Sequence, residues 1–269
     1  MHTATDLIFG PLNDEQKQAV VTMDGPVLIL AGAGSGKTKA LTHRIANLIH
    51  TGVQPWQILA VTFTNKAAKE MKERIKNLLH LTEGEDLSPF EAGNARLPTM
   101  GTFHSICARI LRRDIERLGR DRTFVIYDGD DQEKLMKETL KELGIPEETL
   151  KPRAALSQIG RLKCEAVTPA EAQKDATTDR MQTVIRAYDL YQKKLRSANA
   201  VDFDDLMLET IRLFKECPDV LNRYQETWRY IHVDEYQDTN HAQYMLVSML
   251  AEKYRNICVI GDPDQSIYG

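Results

Sequence analysis

The stretch PVLILAGAGSGKT, residues 26–38, joins a short apolar run to a glycine-rich turn. The apolar run predicts a β-strand, and the pattern that follows, with Leu41 and Ile45 on one face, predicts a helix. The turn AGAGSGKT (31–38) fits the phosphate-loop pattern G-x-x-x-x-G-K-[ST], except that Ala31 stands where the first glycine is usual. Glycines let the backbone N–H groups curl toward phosphate oxygens, and the positive end of the following helix adds to this attraction. The stretch therefore predicts a nucleotide-phosphate site between a strand and a helix.

Individual side chains of this predicted phosphate loop have distinct expected roles. Lys37 can reach the β- and γ-phosphates of a nucleotide, and the hydroxyl of Thr38 can bind Mg²⁺. The loop that would surround the phosphates consists of Ala31, Gly32, Ala33, Gly34, Ser35 and Gly36. The alternative is a glycine-rich strand-to-helix turn with an incidental lysine.

Short apolar strands alternate with helical patterns through much of the chain. ILAVTF (58–63) and LPTMGTF (97–103) each precede a helical segment, and YIHVDE (230–235) and NICVIGD (256–262) flank a helix over about 240–253. Alternation of this kind predicts βαβ units and a parallel sheet with helices on both faces.

A polar, charged and helix-prone region interrupts the alternation. DDQEKLMKETLKELG and DRMQTVIRAYDLYQKKL both carry apolar residues at helical spacing. We therefore expect an α/β domain that is split in sequence by an inserted all-helical subdomain. The predicted segments are 1–113 and 201–269 for the α/β domain, and 114–200 for the insertion.

Bulk composition restricts the class of protein only mildly. The net charge is −4 and the sequence pI is about 6.0. These values do not indicate nucleic-acid binding, and they do not exclude it, because a local basic stripe is sufficient to bind a nucleic acid. The four cysteines match no zinc pattern and no disulfide framework, so we expect reduced thiols in a cytoplasmic protein. No signal peptide and no apolar run of 18 residues is present, so no membrane association is expected.

Two adjacent acids follow the strand in HVDEYQDTN (232–240). Asp234, at the strand end, is placed to hold Mg²⁺, and Glu235 is placed to orient and deprotonate an attacking water. Taken alone, VDE is more often a solvated strand end. In combination with the phosphate loop, the acids favour nucleotide hydrolysis.

Six motifs in a fixed order identify the kind of NTPase. They are PLNDEQKQAV (11–20), LAVTFTNKAAKEMKERI (59–75), TMGTFHSICARILRRD (99–114), NAVDFDDLM (199–207), VDEYQDTN (233–240) and VIGDPDQSIYG (259–269). The set resembles the first RecA-like domain, with its helical insertion, of the UvrD/Rep/PcrA-like superfamily 1A DNA helicases. The resemblance covers essentially the whole chain and implies a RecA-like P-loop NTPase fold.

The resemblance assigns further residues to the nucleotide. Gln16 matches the glutamine that reads adenine, and Arg44 matches an arginine near the nucleotide base. Gln265 resembles the glutamine that senses the γ-phosphate. Without the motif, Gln16 would be taken as an exposed helix glutamine. The alternative for Arg44 is an arginine on the surface of a helix.

The resemblance also predicts a path for single-stranded DNA. The expected contacts are Phe63, Thr64, Asn65, His104 with Ser105, and Tyr268. Phe63 and Tyr268 would meet bases, and stacking on an aromatic ring is worth about 1–3 kcal/mol per base. A core role for Phe63 and a structural role for His104 are the alternatives. No chemistry is assigned to Asp202 or Asp205 of the VDFDDL signature.

The family pattern implies an ATP-dependent helicase that moves 3′ to 5′ on single-stranded DNA, in repair or replication restart. A second RecA-like domain, with arginine fingers worth about 10³–10⁵ in rate, is expected beyond Gly269. The fragment should therefore bind ATP and Mg²⁺ but not unwind DNA. Another phosphate-loop enzyme, such as a small-molecule kinase, and a non-catalytic nucleotide- or DNA-binding module are the alternatives.

Overall fold

A computed structural model of the chain describes residues 4–32, 34–79, 97–262 and 264. Its strands alternate with helices as the sequence pattern predicts. The strands are β1 Val27–Leu30, β2 Ile58–Thr62, β3 Thr99–Thr102, β4 Val125–Ile126, β5 Ala200–Val201, β6 Tyr230–Val233 and β7 Asn256–Gly261. The helices are α1 Ala4–Phe9, α2 Asp14–Val21, α3 Lys37–His50, α4 Asn65–Leu78, α5 Phe103–Asp114, α6 Gly129–Glu142, α7 Pro152–Cys164, α8 Pro169–Ala172, α9 Asp179–Ser197, α10 Phe203–Glu216, α11 Pro218–Thr227 and α12 His241–Ala251.

Five strands of the described residues form one parallel sheet in the order β1-β7-β6-β2-β3. Parallel neighbours need crossover connections, which the helices between the strands supply. Because the strands are parallel, the carboxyl ends of β1, β7 and β6 lie side by side at one edge of the sheet. The residues that follow them, which are the phosphate loop, Asp262 and Asp234, therefore meet there. The predicted α/β class with a parallel sheet is confirmed.

One face of this sheet carries an apolar core cluster of the α/β unit. The predicted inward face of α3 is fully buried, with Leu41 and Ile45 at 0% exposure, and Met71 of α4 packs into the same cluster. β1 differs from the other strands, since Leu28 and Leu30 are 61% and 64% exposed. β1 lies at an edge of the described sheet, and the alternate residues of an edge strand face solvent where no helix covers them.

The chain divides into two compact units. One comprises Met1–Ile106, Asp219–Thr239 and Val247–Gly269, and the other comprises Cys107–Pro218 and Asn240–Leu246. The first holds the parallel sheet, and the second is mainly helical. The predicted domain boundaries near residues 113 and 200 stay a prediction. The compact helical unit runs from Cys107 to Pro218 and so includes α10.

The helical unit has its own apolar core, built from α6, α7 and α9. The buried residues of α9 repeat at helical spacing and include Val184, Tyr188, Tyr191 and Leu195, as the apolar periodicity indicates. The short strands β4 and β5 pair in parallel within this unit. In the described part of the chain, no helix combines the length and the apolar character needed to cross a membrane.

Candidate nucleotide and DNA sites

The phosphate loop turns sharply because two of its glycines adopt positive φ. Gly34 has φ 74° and Gly36 has φ 84°, a left-handed conformation that side chains disfavour. At Gly36 space is also limiting, since an added Cβ would lie 2.8 Å from Nε2 of Gln16. The backbone N–H and the hydroxyl of Ser35 both donate to the carbonyl of Gly32, at 3.2 and 2.6 Å. The glycines thus permit the curl that the motif predicts.

Lys37 begins α3 directly after this curl, and its amine is short of partners. Gly36, the N-cap residue, provides no side-chain cap, so the first N–H groups of α3 have no cap from that position. The side chain of Lys37 is 9% exposed, and Nζ makes no hydrogen bond within the described residues. Its nearest acids are Glu235 Oε2 at 3.4 Å and Asp262 Oδ2 at 3.6 Å. A buried amine without hydrogen bonds is costly, so this position suits phosphate oxygens.

Gln16 lies against the phosphate loop, as its predicted role requires. Its backbone N–H donates to Oδ1 of Asn13 at 2.8 Å, and its Oε1 accepts the N–H of Asn13 at 3.2 Å. The amide Nε2 donates to the carbonyl of Ser35 at 2.8 Å. This capping box holds the side chain at the start of α2 and beside the loop. Both ends of the amide are used by protein atoms, so adenine recognition would exchange at least one of these bonds.

Arg44 is directed elsewhere. It is 1% exposed, and its guanidinium donates to backbone carbonyls at the end of α2. The acceptors are Ala19 at 2.8 Å, Met23 at 3.0 Å, and Thr22. These bonds satisfy carbonyls that a helix end leaves without partners. Contact of Arg44 with the nucleotide base stays a prediction, and the described contacts indicate that it anchors the helix that carries Gln16.

The two acids after β6 are held in a turn of unusual conformation. The N–H of Asp234 donates to the carbonyl of Val61 at 3.0 Å, which extends the pairing of β6 with β2. Glu235 has φ 51°, a left-handed value that costs a residue with a side chain on the order of 1–3 kcal/mol. Its N–H donates to Oδ1 of Asp234 at 3.0 Å. The turn brings the Glu235 carboxylate toward Lys37.

Burial, and then the neighbouring charge of Glu235, raises the pKa of Asp234 to about 6. The raised value means that the folded state binds this proton more tightly than the unfolded chain does. Ionisation of Asp234 therefore has almost no effect on the free energy of unfolding below the unfolded pKa of about 3.9. Above about pH 6 it lowers the free energy of unfolding by its full amount. A divalent cation beside the carboxylate would offset this cost.

Asp234→Asn is therefore expected to stabilise the chain at pH 8, by about 1–2 kcal/mol, and by only about a third as much at pH 4.5. Asparagine keeps the Oδ1 acceptor for the N–H of Glu235 but carries no charge. The measurement is thermal unfolding of both proteins at the two pH values, without added metal. Asp175→Asn, at an exposed position, is the matched control. An equal stabilisation at both pH values would contradict the electrostatic explanation.

The acids and the phosphate loop together have the chemistry of a Mg²⁺ site. Residues 4–32, 34–79, 97–262 and 264 contain no group of three His, Cys, Asp or Glu side chains that could hold a metal ion. Mg²⁺ beside nucleotide phosphates is typically held by only one or two protein side chains, with phosphates and waters completing its shell. Thr38 is half-buried on the first turn of α3. Thr38 and the buried carboxyl of Asp234 fit that requirement.

The predicted DNA contacts at the ends of β2 and β3 include an aromatic pair. The ring of Phe63 is half-buried and meets the buried ring of Phe103 edge to face, with centroids 5.8 Å apart. Thr64 caps α4 by accepting the N–H of Ala67 at 3.1 Å, which leaves its hydroxyl proton for another acceptor. Asn65 is exposed at the first position of α4.

His104 and Ser105 lie on the first turn of α5, directly after β3, and both are half-buried. The hydroxyl of Ser105 donates to the carbonyl of Thr102 at 2.9 Å. Three further predicted site residues, Ala33, Gln265 and Tyr268, lie outside the described residues.

Asp262 is a residue of this site to which the sequence patterns assign no role. It is 1% exposed and faces the amine of Lys37. The usable signal is positional, because Asp262 ends β7, and β7 turns out to pair with the strand that leads into the phosphate loop. That pairing is a property of the sheet order, which short motifs do not contain.

The sequence matches the family model of the UvrD/REP helicase N-terminal domain over residues 12–269. The chain is 51% identical over 259 residues to the ATP-dependent DNA helicase PcrA of Staphylococcus aureus strain COL, and equally to PcrA of Staphylococcus epidermidis strain RP62A. The match covers 96% of this chain and 34% of each relative, so the chain spans about a third of the length of these relatives. The chain therefore belongs to the UvrD/REP helicase N-terminal domain family.

Proposed function

We propose that residues 1–269 form the ATP-binding half of an ATP-dependent DNA helicase that moves 3′ to 5′ on single-stranded DNA. The observation that carries the proposal is the amine of Lys37. It is buried, has no hydrogen bond among the residues that the structure describes, follows a phosphate-loop turn and faces acids from two neighbouring strands. Such an amine suits the phosphates of a nucleotide, and the adjacent acids suit hydrolysis.

The positions of the described side chains support a separate role for each residue of the proposed site. The N–H groups of the phosphate loop and the amine of Lys37 hold the phosphates. Thr38 and Asp234 would hold Mg²⁺, which when bound neutralises charge that builds up on the phosphates. Glu235 accepts the proton of the attacking water. Gln16 reads the base, and Arg44 supports it through α2.

The DNA-binding part of the proposal rests on the ends of β2 and β3. Phe63, half-exposed and braced against Phe103, offers a ring face to a base. Thr64 and Asn65 offer donors to a phosphate at the start of a helix, where the dipole also attracts anions. His104, Gln265 and Tyr268 complete the proposed set, with Gln265 as the link between nucleotide and DNA.

A polypeptide of residues 1–269 alone should bind ATP with Mg²⁺ weakly and hydrolyse it very slowly. Arginine fingers supplied by a second domain are worth about 10³–10⁵ in rate in related NTPases. Unwinding needs two domains that close and open around the nucleotide, so the isolated chain should not separate duplex DNA. The partners that we propose are single-stranded DNA and a second RecA-like domain of the longer protein.

ATP hydrolysis by the full-length protein should rise at least tenfold when single-stranded DNA is added. Lys37→Ala should abolish this activity, and should also abolish binding of a fluorescent ATP analogue by residues 1–269, because the phosphates lose their cation. Lys39→Ala, on the same helix but with its amine on the carbonyl of Pro11, is the matched control and should retain nucleotide binding.

Other outcomes of this experiment identify other functions. Hydrolysis that ignores DNA, together with phosphate transfer to a small acceptor, would favour a kinase. Nucleotide binding with no turnover in the full-length protein would favour a non-catalytic module. Either result would overturn the helicase proposal.

A further inference from the structure

Gln237 links the two acidic segments of the site through its side-chain amide. It lies in the 3-10 turn Tyr236–Asp238 that follows Glu235. Its Nε2 donates to Oε2 of Glu235 at 2.8 Å, and its Oε1 accepts the backbone N–H of Asp262 at 2.9 Å. One side chain therefore connects the carboxylate proposed to activate water with the residue that follows β7.

The chemistry of these two contacts requires a glutamine in one orientation. A carboxylate accepts hydrogen bonds only, so Nε2 must face Glu235, and a backbone N–H only donates, so Oε1 must face Asp262. A second acid, Asp238, lies 3.4 Å from the same Nε2 and favours the same orientation. Glutamate at position 237 would keep the acceptor but would place a negative charge against Glu235. Methionine would have a similar length but would lack both the amide donor and the carbonyl acceptor.

The close approach of this turn to β7 depends on Gly261. A Cβ at that position would lie 2.8 Å from Oε1 and 3.2 Å from the backbone N of Gln237. The carbonyl of Gly261 in turn accepts the N–H of Ala31, at 3.1 Å, where the phosphate loop begins. The Gln237 amide thus packs against Gly261, whose carbonyl is hydrogen-bonded to the first residue of the phosphate loop.

Gln237 also competes with Lys37 for the same carboxylate oxygen. Oε2 of Glu235 accepts from Gln237 at 2.8 Å, whereas Nζ of Lys37 lies 3.4 Å away, beyond the usual length of a charge-assisted hydrogen bond. Without the amide, the attraction between opposite charges would draw the partly exposed Glu235 carboxylate onto the buried amine of Lys37. The Glu235 carboxylate would then be engaged in an ion pair and would be a weaker proton acceptor. The Lys37 amine would be bound to that carboxylate instead of being available to a phosphate.

We propose that Gln237 is a positioning residue for the hydrolysis of ATP. It holds the Glu235 carboxylate away from Lys37 and ready to accept a proton from water. Through the N–H of Asp262 it also ties that carboxylate to the end of β7. The inference rests on the proposed function, since it assigns to Gln237 control over the residue proposed as general base.

The test is the steady-state rate of ATP hydrolysis by the full-length protein with saturating single-stranded DNA. Gln237→Met should lower kcat about 10–100-fold, the usual effect of removing a group that orients a reactive side chain. The dissociation constant for a fluorescent ATP analogue should change less than threefold. Gln225→Met is the matched control, because Gln225 is 7% exposed and donates to the carbonyl of Met249 at 2.7 Å, outside the site. It should leave kcat unchanged.

A double-mutant comparison separates positioning from a general structural effect. In a Glu235→Gln background, Gln237→Met should have almost no further effect on kcat, because the base through which it acts is already absent.

The inference and the proposed function fail in different ways. A wild-type protein that shows no DNA-stimulated hydrolysis would overturn the function, and with it the role of Gln237. An active wild type whose Gln237→Met variant keeps its kcat within twofold would overturn the positioning role alone. Equal losses from Gln237→Met in the wild-type and Glu235→Gln backgrounds would do the same.

Discussion

Lys163→Met is expected to lower the free energy of unfolding by about 3–5 kcal/mol, because it leaves two buried carboxylates without their cation. Nζ of Lys163 lies 2.6 Å from Oδ2 of Asp202 and 2.7 Å from Oδ1 of Asp205, inside the helical unit. The side chains of all three residues are at most 4% exposed. Buried charges are tolerated when opposite charges compensate one another. Removal of one charge should therefore lower the free energy of unfolding more than removal of all three.

The acids of this cluster are tied to the backbone and to other side chains. Asp202 and Asp205 form the capping box that begins α10, and Gln192 donates to Asp205 at 2.8 Å. Burial opposes the charge on Lys163, but Asp205 and Asp202 together outweigh burial and raise its pKa. Burial, and then the charge of Asp205, raises the pKa of Asp202 to about 6. Removal of Lys163 would therefore force proton uptake or local opening of α10.

Urea unfolding at pH 7.5 measures the effect, with a surface pair as the control. Lys193 pairs with Asp189 at 2.7 Å on α9, where both side chains are at least half exposed, so Lys193→Met should cost no more than about 0.5 kcal/mol. The triple variant Lys163→Met, Asp202→Asn, Asp205→Asn should recover part of the stability lost in Lys163→Met. A loss below 1 kcal/mol in Lys163→Met would contradict the buried-cluster interpretation.

Glu235→Gln is expected to lower kcat for DNA-stimulated ATP hydrolysis by about 10²–10⁴-fold in the full-length protein. Glutamine has nearly the same shape but cannot accept the proton of the attacking water. Binding of ATP should persist, because Lys37 remains and one of the two acids that face it has lost its charge. Loss of turnover with retained binding distinguishes a proton acceptor from a residue that merely shapes the pocket.

Steady-state hydrolysis and titration with a fluorescent ATP analogue provide the two readouts. Glu252→Gln, an exposed position just after α12, is the matched control and should change neither. A Glu235→Gln protein that hydrolyses ATP within threefold of the wild-type rate would remove Glu235 from the mechanism and leave Asp234 as the acid to test next.

Local signals in the sequence were sufficient for the fold class and for the phosphate-loop segment between a strand and a helix. The apolar run before AGAGSGKT became β1, and the helical periodicity after it became the buried face of α3. The motif order also predicted the family, which the comparison confirms. Periodicity and contiguous motifs are readable in this way because they depend on neighbouring residues and on the backbone conformations that those residues favour.

The partners of Arg44, Asp262 and Gln237 could not be read in the same way. Arg44 donates to the end of a helix that lies earlier in the chain, and Asp262 faces Lys37 only because β7 pairs with β1. The contact of Gln237 with the N–H of Asp262 depends on the pairing of β6 with β7. Strand order and packing bring together residues that are distant in the chain, and no local pattern encodes those distances. The sequence by itself therefore identified Lys37 and Glu235 as chemical groups of the site, whereas the presence of Asp262 and its position beside the Lys37 amine depended on how the strands assemble.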